Sequence, residues 1–286
     1  MKEKEAFDIM NQENYSGYLT REKNKVPLAK LHGFDDLTFI RYGYSTRLGG
    51  VSEGYFREMN LGLKLGDDRE KVLENYRRVT EAIGISDYRR IACPDQVHLT
   101  NIRHVTEQDA GDGIEIPLQA KEIDGQITNV PGLPLIVYGA DCVPLLFADP
   151  VKKVIGTAHG GWKGTATGIA GKMVQEMVSV YGSDPRDIQV AIGPSAGACC
   201  YEVDDVVLDA MKKEMPETEY LVMKDGKTHC DLWAANRFFL LKEGVPESQI
   251  YISGYCTICN NDLFHSHRAS GGKRGLNAGL IEIKRM

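Results

Sequence analysis

Apolar residues recur at helical spacing between Asp68 and Ile83, where Val72, Leu73, Tyr76, Val79 and Ile83 share one face and Gly84 follows. This spacing predicts an amphipathic helix with a glycine stop. From Leu133 the pattern changes to short apolar runs, LPLIVYGA, VPLLFADP and VIGTAHGG, with Asp149-Pro150 and Lys152-Lys153 turning the chain before the last. Such runs predict buried strands. Thr165 to Tyr181 returns to the helical period, with Ile169, Met173, Val174, Met177 and Val178 on one side and Gly182 at the end. Further strands are predicted at NIRHV (101–105), at Asp187 to Gly193 and at Gln249 to Gly254, with a helix over Asp231 to Glu243. Strands and helices alternate irregularly, so the pattern predicts a mixed-sheet α+β or α/β fold and not a strictly doubly wound one. With no composition break and no repeat, residues 1–286 are read as one folding unit.

Charge narrows the function more than composition does. A net charge of −6 provides no global attraction to nucleic acid or to an anionic membrane. The opening MKEKEAFDIMNQENY lacks the apolar core of a secretory signal, and the most apolar stretch is broken by Asp141 and by prolines. A cytoplasmic protein is expected. Seven cysteines, an odd number, argue against a disulfide framework, so each is weighed as buried apolar group, ligand or nucleophile.

The densest chemistry lies in A-D-C-V-P (140–144) and G-T-A-H-G-G-W-K-G (156–164). Asp141 and Cys142 directly follow one apolar run and His159 ends the next, so paired strands would bring thiol and imidazole together. They stand seventeen positions apart, too far for a locally encoded zinc site, and only the fold can make them neighbours. Two readings stand open: a shared site, or a buried cysteine and a histidine bonded to a carbonyl. Gly160, Gly161 and Gly164 around Trp162 and Lys163 permit a tight turn or close approach by a ligand. The following helix start suits an anion, although the Walker register is absent.

Three other stretches are ambiguous alone. His98 closes C-P-D-Q-V-H (93–98), where a histidine is ordinarily a satisfied polar residue. Arg47 stands in S-T-R-L-G-G-V-S-E-G (45–54), shortly before Asn60, and suits either a surface anchor or an anion. C-T-I-C-N-N-D-L-F-H-S-H-R (256–268) sets Cys256 and Cys259 before His265 and His267. That is half a local zinc site, and equally the alternation of a strand. Cys199 and Cys200 are read as packing residues.

Taken in order, these motifs, from S-T-R-L-G-G through Q-V-H, A-D-C-V-P and A-H-G-G-W-K-G to C-T…F-H-S-H-R, span residues 45 to 268. The ordered set resembles proteins long catalogued as multicopper polyphenol oxidoreductases of the laccase type and now regarded as purine nucleoside phosphorylases. The resemblance implies a four-layer α/β/β/α sandwich and a zinc ion held by His98, Cys142 and His159 with an open fourth position. It implies purine nucleosides and phosphate as partners: phosphorolysis of adenosine, inosine, guanosine and methylthioadenosine, with hydrolytic deamination of adenosine. It assigns phosphate recognition to Arg47 and Arg268, with Asn60 and Lys163 as further substrate contacts. Catalysis falls to Asp141, Cys142 and His159, with Asp141 orienting a ligand or moving a proton. Lys163 and His267 stand where the family pattern has Arg and Tyr. Two alternatives accompany it. Likeness to a bacterial toxin deamidase implies a Cys142–His159 amide hydrolase. The older family name implies a copper-dependent polyphenol oxidase, although the chain lacks multiple His-x-His arrays.

Overall fold

The computed structural model describes residues 15–20 and 26–285. The opening MKEKEAFDIMNQEN, read above for its lack of an apolar leader, lies outside them. In chain order the strands and helices are β1 (Gly17–Leu19), β2 (Leu28–Leu31), β3 (Ile40–Ser45), α1 (Arg69–Ile83), β4 (Ile102–His104), β5 (Gly125–Thr128), β6 (Leu135–Gly139), β7 (Val143–Asp149) and β8 (Val154–Gly160). Then follow α2 (Trp162–Ala166), α3 (Ile169–Tyr181), β9 (Gln189–Ile192), α4 (Asp205–Lys212), β10 (Leu221–Lys224), β11 (Lys227–Cys230), α5 (Leu232–Lys242), β12 (Ile250–Ile252) and β13 (Asn277–Ile283).

Two sheets form the centre. One is antiparallel, in the order β1-β2-β3-β13-β6; the other is mixed, in the order β12-β9-β7-β8-β5-β4, with parallel pairs at both of its edges. The apolar runs read as strands because they are covered on both faces, and within each run the period of two sorts side chains between layers. On β7, Leu145 and Phe147 face α3 and α5, while Leu146 and Ala148 pack against the antiparallel sheet. On β6, Leu135 and Val137 join that inter-sheet core, while Ile136 packs outward with Val72, Tyr76 and Val79 of α1. Three apolar layers between helix, sheet, sheet and helix make the expected four-layer α/β/β/α sandwich, one mixed α+β domain. Among the described residues, no helix is long and apolar enough to cross a membrane.

Helix α1 begins at Asp68, whose carboxylate accepts from the Glu70 N–H, and ends at left-handed Gly84, as its periodicity predicts. The helix expected over Thr165 to Tyr181 is instead two. Gly168 turns left-handed (φ 77°) beneath the Phe239 ring, ending the short α2 and starting α3. The strand alternation at 264–268 also fails, because residues 256–272 run as successive turns, with Asn260 N–H donating to Cys256 O and Phe264 N–H to Asn260 O. The β10–β11 hairpin, unforeseen, is closed by Asp225-Gly226, both with positive φ as a tight primed turn requires.

Candidate active site

Antiparallel pairing of β7 with β8 sets Val143 opposite Gly160 and Pro144 opposite His159. Cys142 immediately precedes that register, so the two strand ends deliver thiol and imidazole to one corner. Pro144 is tolerated in a central strand because β9 pairs only from Leu145 onward. The loop before β4 supplies His98, whose Nε2 lies 3.8 Å from Cys142 Sγ, and the His98 and His159 rings meet edge-on at 4.7 Å. Donor atoms of all three residues lie within 4.8 Å of one another. Gly161 completes the corner: a Cβ there would come 2.7 Å from His98 and 3.3 Å from Cys142 Sγ.

Asp124, which immediately precedes β5, holds this arrangement together. Its Oδ1 accepts from His159 Nδ1 at 2.8 Å, and its carboxylate also takes the N–H groups of Val97, His98 and Leu99. Burial opposes the charge, but these donors keep Asp124 ionised below the usual carboxylate range. The Nδ1–H bond orients the ring so that Nε2, once it loses its proton, can serve as a metal ligand. Burial would likewise raise the Cys142 thiol, yet His159 and His98 bring it down to about 6. Burial disfavours charge on His159, but the Cys142 thiolate and Asp124 raise it to about 9. Two imidazoles and a thiolate, braced by a carboxylate, fit a zinc ion with one position open. Both His98 and Asp141 hold positive φ, 65° and 90°, a conformation that non-glycine residues reach only under local constraint.

The trio lies on a cavity of about 660 Å³, whose wall includes Leu63, Ile114, Leu118, Tyr138 and Arg274. Arg274 is half-buried, and burial lowers its pKa while Asp141 and Cys142 raise it; its Nε is buried without a hydrogen-bond partner. A second recess of about 500 Å³ shares His98 and carries Trp162, Lys163 and Lys172.

The sequence-predicted residues divide accordingly. His98, Cys142 and His159 come together. Arg47 is absent from the cavity wall; its guanidinium donates to Arg57 O and, at 2.6 Å, to Asn261 O. Arg268 donates to Glu202 O and covers the Tyr201 ring. Asn60 is fully buried, bonding Asp67 and the N–H groups of Gly62 and Leu276, and so shapes the wall from behind. Lys163 is exposed in the second recess. Both Asp141 carboxylate oxygens are taken, one by Thr257 Oγ1 and one by Arg268 N–H, each at 2.7 Å. The helix start read as suited to an anion belongs to the five-residue α2, which has no side-chain cap. Nor do Cys256 and Cys259 meet the histidines downstream: His265 is buried and accepts from Gly275 N–H, His267 is exposed, and the two cysteines join Cys199 and Cys200. Asp124 and Arg274 escaped sequence reasoning, since neither stands in one of its motifs.

An α/β/β/α domain whose paired strand ends carry a nitrogen and sulfur donor set onto a cavity has the layout of a metal-dependent enzyme. The chain belongs to the family described as multi-copper polyphenol oxidoreductase laccase, which residues 41–284 match. A protein named purine nucleoside phosphorylase YlmD from Geobacillus stearothermophilus is 42% identical over 243 residues, 84% of this chain and 88% of that protein. The crystal structure of YlmD from that organism superposes with a TM-score of 0.86 at 38% identity, covering 93% of this chain and 98% of that one. A protein named adenosine deaminase RL5, from an unknown prokaryotic organism, is 33% identical over 241 residues, 82% of this chain and 90% of its own length. The family and fold implied by the ordered motifs are thus the chain's own.

Proposed function

We propose that the protein is a zinc-dependent purine nucleoside phosphorylase acting on adenosine, inosine, guanosine and methylthioadenosine, with hydrolytic deamination of adenosine at the same site. The observation carrying this reading is one cavity wall that joins His98, Cys142 and His159 to the unpartnered buried Nε of Arg274. In phosphorolysis a phosphate oxygen bonds to ribose C1′ as the C1′–N9 bond breaks; the base leaves with a proton and ribose 1-phosphate remains. Deamination adds water at C6 of adenine and releases ammonia. His98, Cys142 and His159 would hold the zinc, which would supply Lewis acidity at the cavity wall.

Arg274 binds the phosphate, its guanidinium lining the cavity in a partly desolvated place. Ile114, Leu118 and Tyr138 bury the base. Asp124 fixes the His159 tautomer, and Asp141 holds the Cys142 corner through Thr257 and Arg268. Arg47, Arg268, Asn60 and Lys163 act around this centre as supports or outer contacts. The test is chromatography of inosine and phosphate incubated with pure protein. Hypoxanthine and ribose 1-phosphate are expected, and their absence sinks the reading.

The thiolate beside a protonated imidazole also suits the Cys142–His159 amide hydrolase. Iodoacetamide separates the two. Bound zinc protects Cys142 from alkylation in the phosphorylase, and a chelator restores it, whereas a hydrolase nucleophile alkylates at once without chelator. Copper, implied by the family's description, is answered by metal analysis of the active protein.

A further inference from the structure

Cys199, Cys200, Cys256 and Cys259 are distant in sequence as two pairs, yet all four Sγ atoms lie within 4.8 Å of one another. Cys259 Sγ lies 3.5 Å from Cys199 Sγ and 3.2 Å from Cys200 Sγ. All four are free thiols. Zinc–sulfur bonds of about 2.3 Å in a tetrahedron set the sulfurs about 3.8 Å apart, which matches this spacing. A multi-iron cluster needs more room, because each sulfur must reach a separate iron around the cluster's own sulfides. Thiols facing only one another satisfy little, since S–H is a weak donor and sulfur a weak acceptor.

Backbone geometry aims all four inward. Strands β9 and β12 are parallel neighbours, and their pairing continues past their ends in a bridge between Ser195 and Cys256. After that bridge each chain enters a tight turn. Cys200 and Tyr201 N–H donate to Gly197 O, and Asn260 N–H donates to Cys256 O. The second turn brings Cys256 and Cys259 onto one side. Gly197 is closely surrounded, since a Cβ would come 3.0 Å from the Trp233 ring and 3.3 Å from both Cys199 Sγ and Cys256 Cβ. Its N–H donates to Cys256 Sγ at 3.3 Å, and Lys224 Nζ donates to Cys199 O at 2.8 Å. An amide thus donates to one of the sulfurs, and a cation is anchored on the backbone of Cys199, beside a centre that four thiolates around a divalent ion would leave doubly negative.

We propose that these four cysteines bind a second zinc ion in a closed, structural site separate from the His98, Cys142 and His159 centre. The ion ties the β9–α4 connection to the turns between β12 and β13. Because Thr257, adjacent to Cys256, holds Asp141, the staple also steadies the corner that carries Cys142. The proposal does not depend on nucleoside chemistry.

The experiment is metal analysis of full-length protein purified under reducing conditions without chelator. Wild type is expected to carry two zinc equivalents, Cys259→Ser one and Cys142→Ala one. A single equivalent that survives Cys142→Ala and disappears in Cys259→Ser also supports the four-cysteine site, while removing zinc from the proposed active site. Unchanged zinc in Cys259→Ser, or zinc lost entirely in Cys142→Ala, overturns it. Cobalt loading of the Cys142→Ala protein gives a readout free of cysteine-cluster mutation. Intense thiolate-to-cobalt charge-transfer absorption is expected, and a spectrum without it overturns the proposal.

Discussion

The two donor clusters are built from overlapping chemistry in opposite ways. His98, Cys142 and His159 come from a loop and two strand ends, mix nitrogen with sulfur, open onto a large cavity and lean on the buried carboxylate of Asp124. The four cysteines come from two local turns, offer sulfur alone and close on themselves. Backbone constraint follows the same division, since positive φ at His98 and Asp141 flanks the open centre. Among the cluster's four cysteines, none has positive φ. In the proposed assignment, the mixed donor set beside a positive-φ backbone is the one left open for chemistry, and the all-sulfur set is the architectural one.

The sharpest way to break this contrast is Cys142→Ala. Losing the central thiolate should lower turnover of inosine by about a thousandfold or more, with the circular dichroism spectrum unchanged. A variant that retains activity places catalysis elsewhere. Next is Asp124→Asn, which keeps the shape but removes the charge that orients His159. Activity or zinc affinity should fall about 10- to 100-fold, measured by turnover and by competition with a chromophoric chelator. Arg274→Ala should raise KM for phosphate by about tenfold while kcat moves less, and Arg274→Lys should recover part of it. Equal losses in kcat and kcat/KM would instead assign Arg274 to the transition state.

The smallest effect concerns His265, behind the wall that carries Arg274. Burial, with Arg47 and Arg274 nearby, lowers its pKa to about 3. The folded protein therefore refuses a proton that the unfolded chain accepts near pH 6.5. Stability is full above that pH and declines on acidification toward pH 3, by at most about 1.4 kcal/mol per unit. Melting curves between pH 7 and pH 5 should show a shallower decline for His265→Phe than for wild type. Parallel curves would exclude His265 as the source.

Legibility followed range. Helix α1 and strands β6 to β9 could be read because their signals are periodic and local, and double coverage turned three strands into continuous apolar runs. The break at Gly168 was hidden, since one glycine inside a helical period looks tolerable until Phe239 packs beneath it. His98, Cys142 and His159 could be joined only through ordered motifs, as their meeting depends on strand register. Asp124 carried no such mark, standing simply as an acid before a strand, and Arg274 lay in a glycine-rich turn. The C-x-x-C motif does meet further candidate donors, but these are Cys199 and Cys200 and not the histidines beside it.

Gly161 sits with φ −66° and ψ 164°, angles open to any amino acid. Nothing in the chain's path demands glycine there; its missing side chain is what leaves room for the His98 ring and Cys142 Sγ. Gly161→Ala should therefore fold as wild type yet wedge one methyl group against imidazole and sulfur. Inactivation then needs no change to any ligand, and the site's tolerance is measured in tenths of an ångström at a residue that performs no chemistry.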